Sequence, residues 1–295
     1  MTDASFVLRV DAGAQVGFGH AGRCLALWEQ LRERCVVAVT DTVAAAFVRR
    51  WGARVAGADA RGDVTIIDRA HAATVAEVEE LRAAGGAVCL IDDSGPARAL
   101  ADAVVDPPTR PHWPEVAGLQ LGGFEHALLR EDIRTAAGRG LPDVGVLVSM
   151  GGSDPTGLTV PLCTALDAAG IETLAVLGPA YAGPPPPGRV LEDPAQWPRV
   201  LAGAELVVCG FGTTLFEAAH LGVPAVAIPR HELDAREATA FSAHGTMTVA
   251  SPDDAVATVR ALRGSERLRE MRRTGRALVD GRGAERVATA LEALR

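Results

Sequence analysis

The stretch VGVLVSMGGSDPTGLTVPLCTALDAA, residues 144–169, opens on an apolar run, breaks at two glycines and resumes with apolar residues at helical spacing. It reads as a buried strand over 144–149, a Gly-rich loop and a helix over 160–169. Upstream, IRTAAGRGLPD (133–143) loses hydrophobic pattern and reads as a linker. Before that linker lies a first series of the same kind: a strand over 6–10, a Gly-rich loop, and a helix over about 20–34. Further strands are expected at 36–40, 64–68, 87–92 and 103–105, with a helix over 74–84 and a Pro-rich turn at 107–114. Downstream of the opening stretch, strands are expected at 173–177, 206–209 and 225–228. A helix starts near residue 214, and two helices close the chain at 265–279 and 284–294. The PPPP run at 184–187 reads as a stiff surface loop. Alternating strands and helices make an α/β protein with parallel sheets, and two such series make two Rossmann-like domains, 1–138 and 139–295.

Composition narrows the function classes. The chain has 295 residues, 48% hydrophobic and only 4% aromatic, with a formal charge of −8. Every basic residue is Arg. An acidic surface without a basic stripe argues against nucleic acid. No apolar run reaches the roughly 18–20 residues of a membrane span, and MTDASFVLRV lacks a basic n-region, so a cytoplasmic location without an integral membrane segment is expected. The five cysteines (Cys24, Cys35, Cys89, Cys163, Cys209) are odd in number, form no CxxC and sit in apolar segments. They read as small buried hydrophobes, and the seven His show no metal-ligand spacing, so neither a metal nor a cofactor is expected.

Three Gly-rich loops carry the chemistry, each at the expected carboxyl end of a strand, the edge where open α/β sheets bind ligands. In the first, 11–20, Gly17, Gly19 and Gly22 match GxGxxG, a weak signal alone; Asp41 is the nearest candidate for a dinucleotide ribose, and NAD is disfavoured. His20 stands at the helix start, where a neutral imidazole is favoured and can take a proton from a hydroxyl or water, or can simply fill the turn. The second, Gly151-Gly152-Ser153-Asp154-Pro155, suits a phosphate or a tight turn with Asp as helix cap. The third runs from Gly210 through Gly212, Thr213 and Thr214 to Glu217. It suits a diphosphate with a ribose one turn on, or a capped helix whose first turn carries an acid. Elsewhere, Asp92 and Asp93 read as a strand-end turn or an acid/base pair, and Asp11 stands at a strand end. His126 and His231 are candidates for site residues, and the Trp residues read as packing, with Trp113 the exception worth testing.

Taken together, RVDAGAQVGFGHAGRCLAL from Arg9, LIDD from Leu90, LGGFEHALLRED from Leu121, VLVSMGGSDPTG from Val146 and GFGTTLFEAAHLGVP from Gly210 resemble a known family over nearly the whole chain. It is that of the nucleotide-sugar hydrolase of pseudaminic acid biosynthesis and its spore-coat glycosyltransferase-like relatives. The resemblance implies the glycosyltransferase B fold, two Rossmann-like domains facing each other across a cleft. It implies a nucleotide-sugar partner, a UDP-sugar first, with His20 as general base and Gly17 and Gly19 beside the sugar. Gly151, Gly152, Ser153, Asp154, Gly212, Thr213 and Thr214 would then lie near the diphosphate and Glu217 at the ribose. The reaction so implied is inverting, metal-independent hydrolysis at the anomeric carbon. The alternatives are transfer to an acceptor hydroxyl, which adds an acceptor as second partner, and a catalytically silent nucleotide-sugar binder. Two departures touch the sugar side. The hydrolase's D-x-Y segment is here Asp68-Arg69-Ala70, and its Asn-Gln pair is replaced by a stretch carrying His231, Glu232 and Asp234.

Overall fold

In the computed structural model, residues 4–13, 16–106, 116 and 118–295 are described. The chain forms two compact units, Met1–Arg130 with Gly281–Arg295, and Glu131–Asp280. The first holds a seven-stranded sheet in the order β3-β2-β1-β4-β5-β6-β7. Its strands are β1 (Phe6–Val10), β2 (Cys35–Ala38), β3 (Val55–Ala56), β4 (Val64–Asp68), β5 (Ala87–Ile91), β6 (Ala103–Val105) and β7 (Leu119–Leu121). The second holds β8 (Gly145–Ser149), β9 (Thr173–Leu177), β10 (Arg189–Glu192), β11 (Ala204–Gly210), β12 (Ala225–Ile228) and β13 (Met247–Val249), ordered β10-β9-β8-β11-β12-β13. Every pairing is parallel. Both sheets therefore reverse direction next to their first strand, at β1/β4 and β8/β11, and the crevice at such a switch point is where doubly wound sheets take ligands.

The first unit begins with the helices α1 (Gly19–Leu31), α2 (Thr42–Arg50) and α3 (Val75–Ala83). The second unit adds α4 (Glu131–Thr135), α5 (Thr159–Ala168), α6 (Trp197–Ala202), α7 (Thr213–Leu221), α8 (Glu232–Ser242), α9 (Ala255–Leu262) and α10 (Glu266–Leu278). No helix among the described residues is long and apolar enough to cross a membrane. The central strands of both sheets are buried on both faces, as covered parallel sheets require, whereas the edge strands β3, β7 and β10 are not. All five cysteines are buried thiols; burial pushes Cys35 and Cys209 up to about 12, so they behave as inert packing groups.

The units do not divide at the linker expected from sequence. Residues 131–138 belong to the second unit, where α4 packs against α6 and α7 and Ile133 is fully buried. The last helix, α11 (Gly283–Glu292), belongs to the first. It buries Ala284, Val287, Ala288 and Leu291 and packs on α1, while Arg34 pairs with Glu292. Gly283 permits this return: a Cβ there would lie 2.2 Å from the Ala127 carbonyl oxygen. Gly283→Val is therefore expected to destabilise the fold by about 1–3 kcal/mol, the usual cost of overpacking. An unchanged Tm would show that this close approach carries no weight. The Pro-rich turn at 107–114, with Trp113, lies outside the described residues, as does Gln15 in the first loop.

Candidate functional site

The first switch point is built from β1, β4 and α1. Beyond β1 the chain folds back on itself: the Gly13 and Gly17 backbones exchange hydrogen bonds of 3.1 and 2.8 Å. Gly17, at φ +81°, takes a conformation side chains resist, and nothing lies within 4 Å of where its Cβ would be. The turn delivers the chain into α1 at Gly19, with His20 in the first turn and Arg23 three residues on, on the same side. Burial of Ala21, Cys24, Leu25, Trp28 and Leu31 anchors the helix, each Leu contributing about 1.5–3 kcal/mol.

Asp68, the last residue of β4, pairs in register with Val10, the last of β1, and its side chain is wholly buried. His20 Nδ1 lies 2.5 Å from Asp68 Oδ1. Arg23 grips the same carboxylate twice, Nε to Oδ2 at 3.0 Å and Nη2 to Oδ1 at 2.8 Å, and sends Nη1 to Asp92 Oδ2 at 2.9 Å. Arg23 Nη2 is also 3.0 Å from His20 Nδ1. Arginine can only donate and an ionised carboxylate only accept, so these contacts decide the tautomer. A bare Nδ1 would set its lone pair against Asp68 Oδ1 at 2.5 Å. Nδ1 therefore carries a proton and donates it to Asp68, an arrangement that in the neutral imidazole puts the lone pair on Nε2. Burial pushes the Asp68 carboxyl up, but Arg23 and His20 more than offset it and hold it below its ordinary range. Burial likewise opposes the Arg23 charge, and Asp68 and Asp92 outweigh it, strengthening the guanidinium's hold on its proton.

Neighbouring acids have local duties. Asp93 is buried and accepts from the Ala73 and Gly95 amides at 2.6 and 2.7 Å, which makes it a turn residue. Asp41 caps α2, accepting from Ala44 N at 2.8 Å. Asp11 braces the loop, its N–H reaching the Asp68 carbonyl and its carboxylate the Ala70 amide. His126 is engaged through Nδ1 with the Gly122 carbonyl.

The second switch point brings together the GGSD loop after β8 and the start of α7 after β11. Gly151 has φ +89° and open space where a Cβ would stand. Gly152 accepts from Ala180 N at 2.9 Å, and Gly178 abuts its Cα, so the loop after β9 fixes its place. The Ser153 Oγ is buried with no hydrogen-bond partner. Asp154 accepts from the Leu158 and Thr159 amides at 3.1 and 2.8 Å and from the Thr156 hydroxyl at 3.2 Å. Its charge thus shapes the loop and caps α5.

Gly212 precedes α7 in extended backbone, exposed, with nothing within 4 Å of an added Cβ. Thr213 and Thr214 form the first turn of α7, which holds no acidic residue, so its amide donors and helix dipole favour an anion. Glu217 is 8% exposed, and its Oε2 accepts from the Trp197 indole N–H at 3.0 Å. That contact gives Trp197 a polar duty besides packing. His231 caps α8, its Nδ1 accepting from Asp234 N at 3.3 Å.

Asp68 and Arg23 are the site residues that sequence reasoning missed. The available signals were an Asp ending the strand beside β1, and an Arg three residues after His20.

No protein-family model and no curated protein matches the chain. Solved structures do. MurG of Acinetobacter baumannii aligns over 98% of this chain and 99% of its own, with 17% identity and TM-score 0.65. The spinosyn forosaminyltransferase SpnP aligns over 99% of each chain, with 15% identity and TM-score 0.67. UDP-GlcNAc 2-epimerase of Neisseria meningitidis, bound to UDP-GlcNAc, aligns over 98% of this chain and 100% of its own, with 11% identity and TM-score 0.66. With two parallel α/β units in these strand orders, the chain shares the glycosyltransferase B-type α/β fold of these structures.

Proposed function

We propose that this protein takes a nucleoside diphosphate sugar and transfers the sugar to an acceptor hydroxyl, with inversion at the anomeric carbon. The observation that carries the reading is the 2.5 Å contact of His20 Nδ1 with buried Asp68 at the first switch point. It leaves Nε2 as a positioned base for the hydroxyl proton. Gly151, Gly152, Ser153, Gly212, Thr213 and Thr214 supply the donors for the diphosphate, whose departure needs its developing charge stabilised. Glu217, steadied by Trp197, accepts from the ribose. Gly17 and Gly19 keep the ground beside His20 clear of side chains. UDP is the first nucleotide to try, because the similar epimerase holds UDP-GlcNAc.

Transfer is preferred to hydrolysis on two grounds. SpnP, similar over the whole chain, is a sugar transferase by name. At the sugar side the hydrolase's tyrosine is absent, and Ala70 stands exposed in its place. The test incubates the protein with UDP-, GDP-, TDP- and CMP-sugars in heavy-oxygen water, with and without alcohol acceptors. Turnover that requires an acceptor is the expected result. Heavy oxygen in the released free sugar without an acceptor would make the protein a hydrolase.

A further inference from the structure

Asp92 and Asp93 are adjacent carboxylates with different duties. Asp93 is consumed by backbone amides, whereas Asp92, at φ +55°, sends its carboxylate to Arg23. Arg23 thus bridges two acids while its Nη2 lies 3.0 Å from His20 Nδ1. We propose that Arg23 is a positioning residue that keeps the His20–Asp68 pair free of an added proton at neutral pH, with Asp92 attenuating its charge. The proposal rests on the reading of His20 as the base.

The neutral imidazole and the Asp68 carboxylate together carry one negative charge, and one more proton abolishes the base. That proton can settle on Nε2 or on the carboxylate; the two sites titrate as a pair. A cation in contact with both opposes proton uptake wherever the proton settles. Losing Arg23 therefore favours uptake, and neutralising Asp92 disfavours it by baring the Arg23 charge. The other groups facing the pair do not alter these signs. The Cys24 Sγ, 4.0 Å from Asp68 Oδ2, and the Cys89 thiol are pushed up by burial and stay neutral. Asp11 braces the loop from the end of β1, and Arg69 is committed to Glu77 at 2.9 Å.

The experiment measures kcat/KM against pH for the wild type, Arg23→Gln, Arg23→Lys and Asp92→Asn, on whichever nucleotide sugar turns over. The ring signals of His20, assigned by a His20→Gln spectrum, are titrated in the same proteins without substrate. In Arg23→Gln the acidic limb and the ring titration are expected to move up by about 1 pH unit, the lower range for a contacting charge. In Asp92→Asn both move down. Arg23→Lys, which keeps the charge without the fork, lies near the wild type in pH but with a lower plateau. Opposite displacements are what a merely structural role cannot produce. Coincident limbs, or displacements in one direction, overturn the proposal. Should Arg23→Gln fail to fold, Asp92→Asn against the wild type decides it. If His20→Ala retains turnover, the base reading falls, and the substrate-free ring titration still decides the role of Arg23.

Discussion

Asp68→Asn is expected to lower kcat by about 10²- to 10⁴-fold with little change in nucleotide affinity, the upper end being the loss seen when an orienting Asp of a Ser-His-Asp triad becomes Asn. The variant keeps shape and loses logic. Arg23 Nε meets Oδ2, while Arg23 Nη2 and His20 Nδ1 share Oδ1, so an amide sets its NH₂ against an arginine donor in either orientation. With the NH₂ at Oδ1 the imidazole Nδ1 must accept and the ring proton is driven to Nε2, the atom that has to be bare. With the NH₂ at Oδ2 the ring keeps its tautomer but loses its ionised partner. Breaking a buried pair also costs about 3–5 kcal/mol when a partner is removed outright, so a lower Tm should accompany the kinetic loss. Steady-state kinetics beside a melting curve separates the two. Full activity in a folded Asp68→Asn protein would show that an ionised partner for His20 does not matter.

His20→Ala should cost at least ~100-fold in kcat, the lower range for removing a general base. The fold should survive: the His20 side chain is 19% exposed, and its removal leaves Asp68 paired with Arg23. The proposed nucleotide donors belong to the other unit, so the loss should appear in kcat and not in nucleotide binding. A variant that turns over like the wild type would remove His20 as the base.

Much of the fold was legible because buried parallel strands are apolar runs. Those at 64–68, 103–105, 173–177 and 225–228 match β4, β6, β9 and β12 residue for residue. What escaped has a common cause. β3, β7 and β10 are short strands at or next to sheet edges with weakly buried patterns, so no apolar run marks them. α8 buries Asp234 and Glu237 beside Ala238 and Phe241, and polar residues on a buried face erase the periodicity that announces a helix. α11 shows its apolar face openly, but nothing in the sequence says that the face returns to α1. In the site, His20 could be found from its place at a helix start. Its partnership with Asp68 spans 48 residues and exists only because β1 and β4 are neighbours across the sheet reversal. Asp154 was legible as a cap and as a ligand residue alike; its bonds to the Leu158 and Thr159 amides give it the first role.

The proposal that the second unit's switch-point loops hold a nucleoside diphosphate is tested most directly by titrating UDP, GDP, TDP and CDP into the wild type and Gly212→Val. Gly212 is in extended backbone that valine adopts freely, with nothing within 4 Å of the new Cβ, so the variant should fold unchanged. The added side chain would stand where the diphosphate meets the first amides of α7. The expected result is saturable binding of at least one nucleotide by the wild type, weakened about tenfold or more in Gly212→Val, some 1.4 kcal/mol. Binding by neither protein, or equal binding by both, would contradict it.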